Sequence, residues 1–260
     1  AIDDAREIGH YPKFLAQFVA VLPMVTYGGL YVERVPLLDV TLAPAVGIPF
    51  TVVAMVGVIN AINHSDGLDG LASGESLLSL LAITLLIFGA EGGETAGLVA
   101  LAAIGGTLGF LRYNTHPARL FMGDAGSQFL GFTVGFLAVL LTQQVNPALS
   151  PAVAALVLGL PVIDIIGVLA QRIHHGMSWF AASKNHIHHR LLDRGFDHYD
   201  SVVIIYGIQT GLVVSGVLLR YSWDWLLLGI YVGVAGAIFW ALTRAEHRDW
   251  HVSRRQGGKT

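Results

Sequence analysis

Eight mostly apolar stretches, each close to the length of a membrane-spanning helix, dominate this sequence. They run over roughly 14–32, 46–62, 71–90, 95–111, 126–142, 148–170, 201–219 and 225–243. A helix needs about 20 apolar residues to cross a bilayer core, and the second and fourth stretches are the shortest. The chain is 54% hydrophobic and only 13% charged, with a mean hydropathy of +0.63, whereas a soluble domain carries about 25% charged residues. The expected fold is all-α: a polytopic transmembrane helix bundle forming one membrane-embedded domain over residues 1–260. The 31 glycines suit such a bundle, because small residues let helices approach closely. Gly92-Gly93 and Asn146-Pro147 mark turns. In the longest outer loop, 33–45, the alternation of Val35, Leu37, Val40 and Leu42 suggests a small hairpin.

Eight spans put both termini on one side, and the basic residues test that layout. Every Lys and Arg except Arg34 and Arg220 falls on the same set of loops. By the positive-inside rule that face is cytoplasmic. All the histidines fall there too, from His10 and His64 to His247 and His251. The longest inner loop, 173–200, is the most polar part of the chain.

Net charge is −3, which gives no footprint for nucleic acid. The absence of cysteine excludes disulfides, thiolate catalysis and Cys-based zinc sites. The sequence opens at Ala1 with no visible signal peptide, and reads as a chain whose N-terminal part is missing.

Four clusters on the inner face carry chemistry. They are Asp3-Asp4; Asn60-Ala-Ile-Asn63-His-Ser-Asp66-Gly-Leu-Asp69-Gly70; Phe121-Met-Gly123-Asp124-Ala-Gly126-Ser127; and Lys184-Asn-His186-Ile-His188-His189-Arg190. Asn63, Asp66 and Asp69 recur every three residues, so on a helical turn they share a face and could hold a hard cation such as Mg²⁺. A solvated loop with Asx turns is the plainer alternative. Asp124 stands just before a span, as an N-cap, as a metal ligand, or as both. His186, His188 and His189 lack the i, i+4 spacing of a helical zinc pair, and with Lys184 and Arg190 beside them they suit a diphosphate better. A lipid-headgroup site is the competing reading of that loop. Asp164 lies inside an apolar span, ~12 Å of helix rise before Arg172. Either it makes a helix–helix hydrogen bond or it shapes the site.

Together these residues offer acids for a metal and bases for a diphosphate, which is equipment for displacement at phosphorus. With NxxDGxDG, FMGDxGS and HxHHR in this order between spans, the chain resembles the polyprenyl-phosphate N-acetylhexosamine-1-phosphate transferases. That family includes the enzymes that begin O-antigen, enterobacterial common antigen and teichoic acid linkage units. The phospho-MurNAc-pentapeptide transferase of peptidoglycan synthesis is a more distant relative.

The resemblance implies a bacterial inner-membrane enzyme that transfers N-acetylglucosamine-1-phosphate from a UDP-sugar to undecaprenyl phosphate, releasing UMP. It implies Mg²⁺, with Mn²⁺ as an alternative ion, and a homodimer. Asp3 and Asp4 match the paired aspartates beside the lipid phosphate, and with Asp124 they are the residues expected to be catalytic. Asn63 and Asp124 match metal ligands, and Asp66 and Asp69 positions near the metal or uridine. Lys184, His186, His188, His189 and Arg190 fall in the loop that grips the nucleotide sugar. Family members have about three spans before the paired aspartates, which this chain lacks. A membrane transporter and a non-catalytic scaffold are the rival classes. A transporter would bury its ionisable groups near the bilayer midplane, and here Asp164 is the one expected there. A scaffold has no need of a metal site.

Overall fold

The computed structural model describes residues 9–35, 41–178 and 185–256, with the side chains of His10 and of residues 243–256 excepted. The described residues form a helix bundle. In chain order the helices are α1 (His10–Thr26), α2 (Pro44–Ser65), α3 (Leu71–Phe88), α4 (Glu94–Asn114), α5 (Gly123–Leu140), α6 (Val153–His174), α7 (Ile187–Leu192), α8 (His198–Leu218) and α9 (Asp224–Gln256). A π-helical turn, Leu141–Val145, prolongs α5.

Seven of these helices are long and apolar enough to cross a membrane: α2 to α6, α8 and α9. The first expected span is shorter than the hydropathy suggests. It stops at Thr26 after 17 residues, a rise of about 25 Å against a hydrocarbon core of about 30 Å. The outer loop pairs only once among the described residues, at an antiparallel bridge between Arg34 and Thr41. Residues 36–40, where the expected hairpin would turn, lie outside the described residues.

Local chemistry sets the helix ends. Pro44 opens α2, where its missing N–H costs nothing. Asp197 caps α8 by accepting from Asp200 N at 2.8 Å. A main core joins α3, α5, α6 and α8 through Leu80, Ile83, Leu137, Leu156, Leu160 and Leu212. A second cluster seats α1 on α2 through Val21, Met24, Val52 and Met55. Large apolar side chains such as Leu85, Leu98 and Phe129 face outward, as expected where lipid replaces water.

One helix is broken and repaired. Within α6, Gly159 has φ 51° and ψ −130°, a conformation that disfavours any side chain, and Pro161 follows. The freed backbone groups find partners on neighbouring helices. Leu160 N donates to Gln209 Oε1 at 2.7 Å. Ser79 Oγ donates to Val157 O at 2.8 Å, and Tyr231 OH to Gly159 O at 3.3 Å. The kink lies upstream of Asp164 and helps to aim the last turns of α6 at the polar end of the bundle.

Candidate active site

The starts of α1, α3, α5 and α8 and the ends of α2, α4 and α6 meet at one end of the bundle. There Lys13 Nζ pairs with Asp124 Oδ2 at 2.6 Å. Asn63 Nδ2 donates to Asp124 Oδ1 at 3.2 Å and to Ser127 Oγ at 2.8 Å. One turn deeper, Gln17 Nε2 donates to Gln128 Oε1 at 3.2 Å, and Asn60 Nδ2 donates to Gln17 Oε1 at 2.8 Å. Residues up to 111 positions apart in the chain therefore share one polar cluster. Asp124 is not an N-cap: α5 starts at Gly123, three residues before the expected boundary, and its first turn carries Asp124 toward Lys13 and Asn63.

The expected common face of Asn63, Asp66 and Asp69 does not form. The helix ends at Ser65, and Asp66 takes φ −78°, ψ 47° at the C-cap. Beyond it the chain turns through Gly67 to Gly70, which has φ 80°. Asn63 therefore faces Asp124, while Asp69 turns to the α4–α5 connection. There Asp69 Oδ2 accepts from Ala118 N at 3.0 Å and meets His116 Nδ1 at 2.8 Å. These two bonds outweigh the burial that opposes its charge and hold its carboxyl below the usual range. Asp66 moves the other way. Burial, with the charges of Asp124 and Asp69 nearby, pushes its carboxyl up to about 6. The turn is fixed by Asn114, whose Oδ1 accepts from Gly70 N at 3.0 Å, and by Tyr206 OH, which donates to Gly70 O at 2.6 Å.

The histidine loop docks on this turn. Asp164, 6% exposed, accepts from Ile187 N at 2.9 Å and binds His186 Nδ1 at 2.8 Å. It is thus a helix-to-loop clamp that sets the start of α7. His186 lies beside His64, ring centroids 5.1 Å apart. His188, 3% exposed, packs under Gly67, where any Cβ would overlap its imidazole. Burial and the neighbouring His189 lower the His188 pKa to about 4, and its Nε2 has no hydrogen-bond partner among the described residues. Arg190 is 8% exposed, so it is set within the loop's packing rather than at its surface. Asp3, Asp4 and Lys184 lie outside the described residues. Asp164 is also not the only acid buried within a span: Glu75, on the second turn of α3, is 2% exposed and bonded to Ser65.

A cavity of about 510 Å³ opens where these elements meet. Lys13, Gln17, Asn60, Asn63, Asp124 and His186 line it, together with His64 and Arg172. Of the expected site residues, Asn63, Asp124 and His186 line this cavity, while Asp66, Asp69, His188, His189 and Arg190 do not. Lys13, His64 and Arg172 were not singled out from the sequence. His64 adjoins Asn63 within the second motif, and Arg172 ends the helix that bears Asp164, so proximity to a motif was the available signal. A larger apolar groove, about 750 Å³, runs between α4 and α5 past Phe110, Phe121 and Phe129.

Fold and site together define a polytopic membrane protein with an acid- and histidine-lined cavity at one end of its bundle. The sequence model of glycosyl transferase family 4 matches residues 1–142, and the chain belongs to that family. The match takes in Asn63, Asp66, Asp69 and Asp124 and stops before the histidine loop. A probable undecaprenyl-phosphate N-acetylglucosaminyl 1-phosphate transferase of Bacillus subtilis (strain 168) is 39% identical over 132 residues, 51% of this chain and 37% of its own length. The undecaprenyl-phosphate alpha-N-acetylglucosaminyl 1-phosphate transferases of Escherichia coli (strain K12) and Yersinia pestis are 32% and 30% identical over 139 residues. In both, the matched stretch is 52% of this chain and 37% of the relative, so this chain aligns with little more than a third of these proteins.

Proposed function

We propose that the protein transfers N-acetylhexosamine-1-phosphate, most simply N-acetylglucosamine-1-phosphate, from a UDP-sugar to undecaprenyl phosphate at the cytoplasmic face of a bacterial inner membrane. The observation that carries this reading is the convergence of Lys13, Asn63 and Asp124 from three helices on one cavity that His186, His64 and Arg172 also line. The names of the relatives support the acceptor and the sugar.

In the proposed reaction a phosphate oxygen of the lipid attacks the β-phosphorus of the UDP-sugar. The bond from that phosphorus to the bridging oxygen breaks, and UMP leaves with the bridging oxygen and its electron pair. A proton remaining on the lipid phosphate passes to Asp3 or Asp4, which precede α1 in the chain. Arg172 and Lys13 offer fixed positive charge to the diphosphate, and His186, held by Asp164, offers a directed ring nitrogen. Positioning and charge neutralisation account for most of the catalysis in such displacements.

The donor set around Asp124 fits a hard divalent cation. Asn63 and Asp124 supply oxygens, and a cationic group, Lys13 Nζ, already pairs with the carboxylate. These two residues would hold Mg²⁺, or Mn²⁺ in its place, which supplies charge neutralisation at phosphorus. Asp66, at about 6, adds carboxylate charge beside that centre as pH rises through about 6.

The test is an assay of membranes carrying the complete gene, given labelled UDP-N-acetylhexosamines and undecaprenyl phosphate with and without Mg²⁺. Lipid-linked sugar and UMP should form only with the metal, and Asp124→Ala should abolish both. Activity near the unmodified level in Asp124→Ala would refute the role of this centre. Counter-transport of the sugar nucleotide without lipid product would favour a transporter. A phosphorylated aspartate trapped with UDP-sugar alone would replace direct transfer by a two-step route.

A further inference from the structure

Beside the cavity lies a second cluster to which the proposed transfer step assigns no role. Asp69 comes from the α2–α3 turn, His116 from the α4–α5 connection and His198 from the first residue of α8. One ligand atom from each lies within 4.8 Å of the other two. The two imidazoles stand with centroids 4.1 Å apart and planes tilted by 24°. His116 Nδ1 is 2.8 Å from Asp69 Oδ2, and His198 Nε2 is 3.2 Å from Asp69 O. We propose that Asp69, His116 and His198 form a binding site for a divalent transition-metal ion of the zinc type, distinct from the oxygen-lined centre at Asn63 and Asp124.

The donor chemistry separates the two centres. Two imidazoles and one carboxylate form the set that zinc takes when it keeps a fourth position open, while Mg²⁺ prefers oxygen alone. Tetrahedral bonds of about 2.0–2.1 Å place donors about 3.4 Å apart, a value that lies between the 2.8 Å of the His116–Asp69 pair and the 4.8 Å within which all three donors fall, so binding needs only a modest shift. His116 has room to make it, since its side chain is 52% exposed. The carboxylate is already oriented from behind, because Ala118 N donates to the same oxygen that meets His116. Such outer bonds fix metal ligands in place. As a plain surface ion pair, Asp69–His116 would contribute ~0–1 kcal/mol and would not require His198 beside it. The bound ion ties together three connections that otherwise meet at this corner through hydrogen bonds to Asp69. One of them is the turn that carries Asp66.

The test needs no turnover and is independent of the transferase reading. The full chain, purified in detergent and stripped of metal, is titrated with Zn²⁺ by calorimetry and with Co²⁺ by visible absorption. One ion per chain should bind at micromolar or lower concentration, with a Co²⁺ ligand-field band that Mg²⁺ does not displace. His116→Gln and His198→Gln should each weaken Zn²⁺ binding about tenfold or more. His174→Gln/His175→Gln should leave it unchanged. Hydrogen exchange on the unmodified chain, which is independent of how the variants fold, should show Zn²⁺-dependent protection at 66–70, 115–120 and 196–200. Absence of binding, full binding in His116→Gln/His198→Gln, or protection confined to 186–189 or to the C-terminal histidines would each overturn the proposal.

Discussion

The two ends of the bundle are both closed by polar side chains, but they use them differently. At the end bearing Arg34 and Arg220, side chains mostly reach backbone. Gln143 Oε1 accepts from Glu33 N at 3.0 Å and Arg34 N at 3.1 Å, and Arg34 donates to Pro147 O. Arg220 Nη1 donates to Val217 O at 2.8 Å. At the other end, side chains meet side chains: Lys13 with Asp124, Asn63 with Asp124, His186 with Asp164, His116 with Asp69. A backbone group at a membrane edge must be satisfied permanently, so the first kind of bond closes a loop and offers a ligand nothing. In the second kind one charged partner can be exchanged for an ion or a phosphate. The comparison locates a binding site by the type of bond rather than by the number of polar residues.

The sharpest way to break the comparison is Asp164→Ala. It leaves a buried ring nitrogen and the Ile187 N–H without their acceptor. Removing one partner of a buried pair costs about 3–5 kcal/mol. Denaturation in detergent should show that loss, and on the proposed function UDP-sugar binding should weaken with it. Asp164→Asn keeps an acceptor for Ile187 N and should recover part of both. A fully stable Asp164→Ala chain would show that the loop is held by something else.

Gly67→Ala comes next. The new methyl overlaps His188, and forcing extra volume into a packed position costs about 1–3 kcal/mol, here at the upper end. Gly92→Ala is the counterpart at the opposite end. It has φ 77° and open space around it, so backbone strain alone remains, ~1 kcal/mol, with the proposed transfer activity unaffected. The double variant Gly67→Ala/His188→Ala should recover stability relative to Gly67→Ala if the two loops are keyed together. Equal losses from Gly67→Ala and Gly92→Ala would erase the distinction between the ends.

Acid should weaken the same contact. Folded His188 has its pKa lowered to about 4 by burial and by His189, against 6.5 when unfolded. Between those values the unfolded chain binds more protons, so stability rises with pH across the window and is lost as pH falls from 6.5 toward 4. By pH 5 the loss attributable to this group is ~2 kcal/mol. The difference in unfolding free energy between the unmodified chain and His188→Gln, followed from pH 7 to pH 5, isolates it. A pH-independent difference would mean that His188 is not buried in its neutral form.

Much of this was legible in the sequence, for identifiable reasons. Long apolar runs fixed the helices because lipid leaves the backbone no alternative, and the charge split separated the two ends. The meeting of Asn63 with Asp124 followed from motifs placed at the same end of the second and fifth expected spans. Geometry that depends on where a helix stops was not legible. The i, i+3 spacing of Asn63, Asp66 and Asp69 suggested one face, yet α2 ends at Ser65 and Asp69 departs toward His116. Nor could spacing show that Asp164 reaches His186 across a kinked helix, or that His188 fills the space Gly67 leaves open.

The smallest effect belongs to the end bearing Arg34 and Arg220. Gln143 sits in the π-helical turn after α5, and such turns often mark functional positions. Here its carbonyl accepts two backbone N–H groups of the Glu33–Arg34 segment. Both donors lie at an exposed edge where water can replace the acceptor, so Gln143→Ala should cost no more than ~1 kcal/mol. The proposed transfer activity and the proposed Mg²⁺ dependence should be unchanged, because among the described residues no bond of Gln143 reaches the cavity lined by Asp124 and His186. Thermal unfolding and the membrane assay on the same preparation separate the two quantities. A large loss of activity at full stability would mean that the outer loop communicates with the cavity along α5, the helix that carries Asp124 at one end and leads into Gln143 at the other.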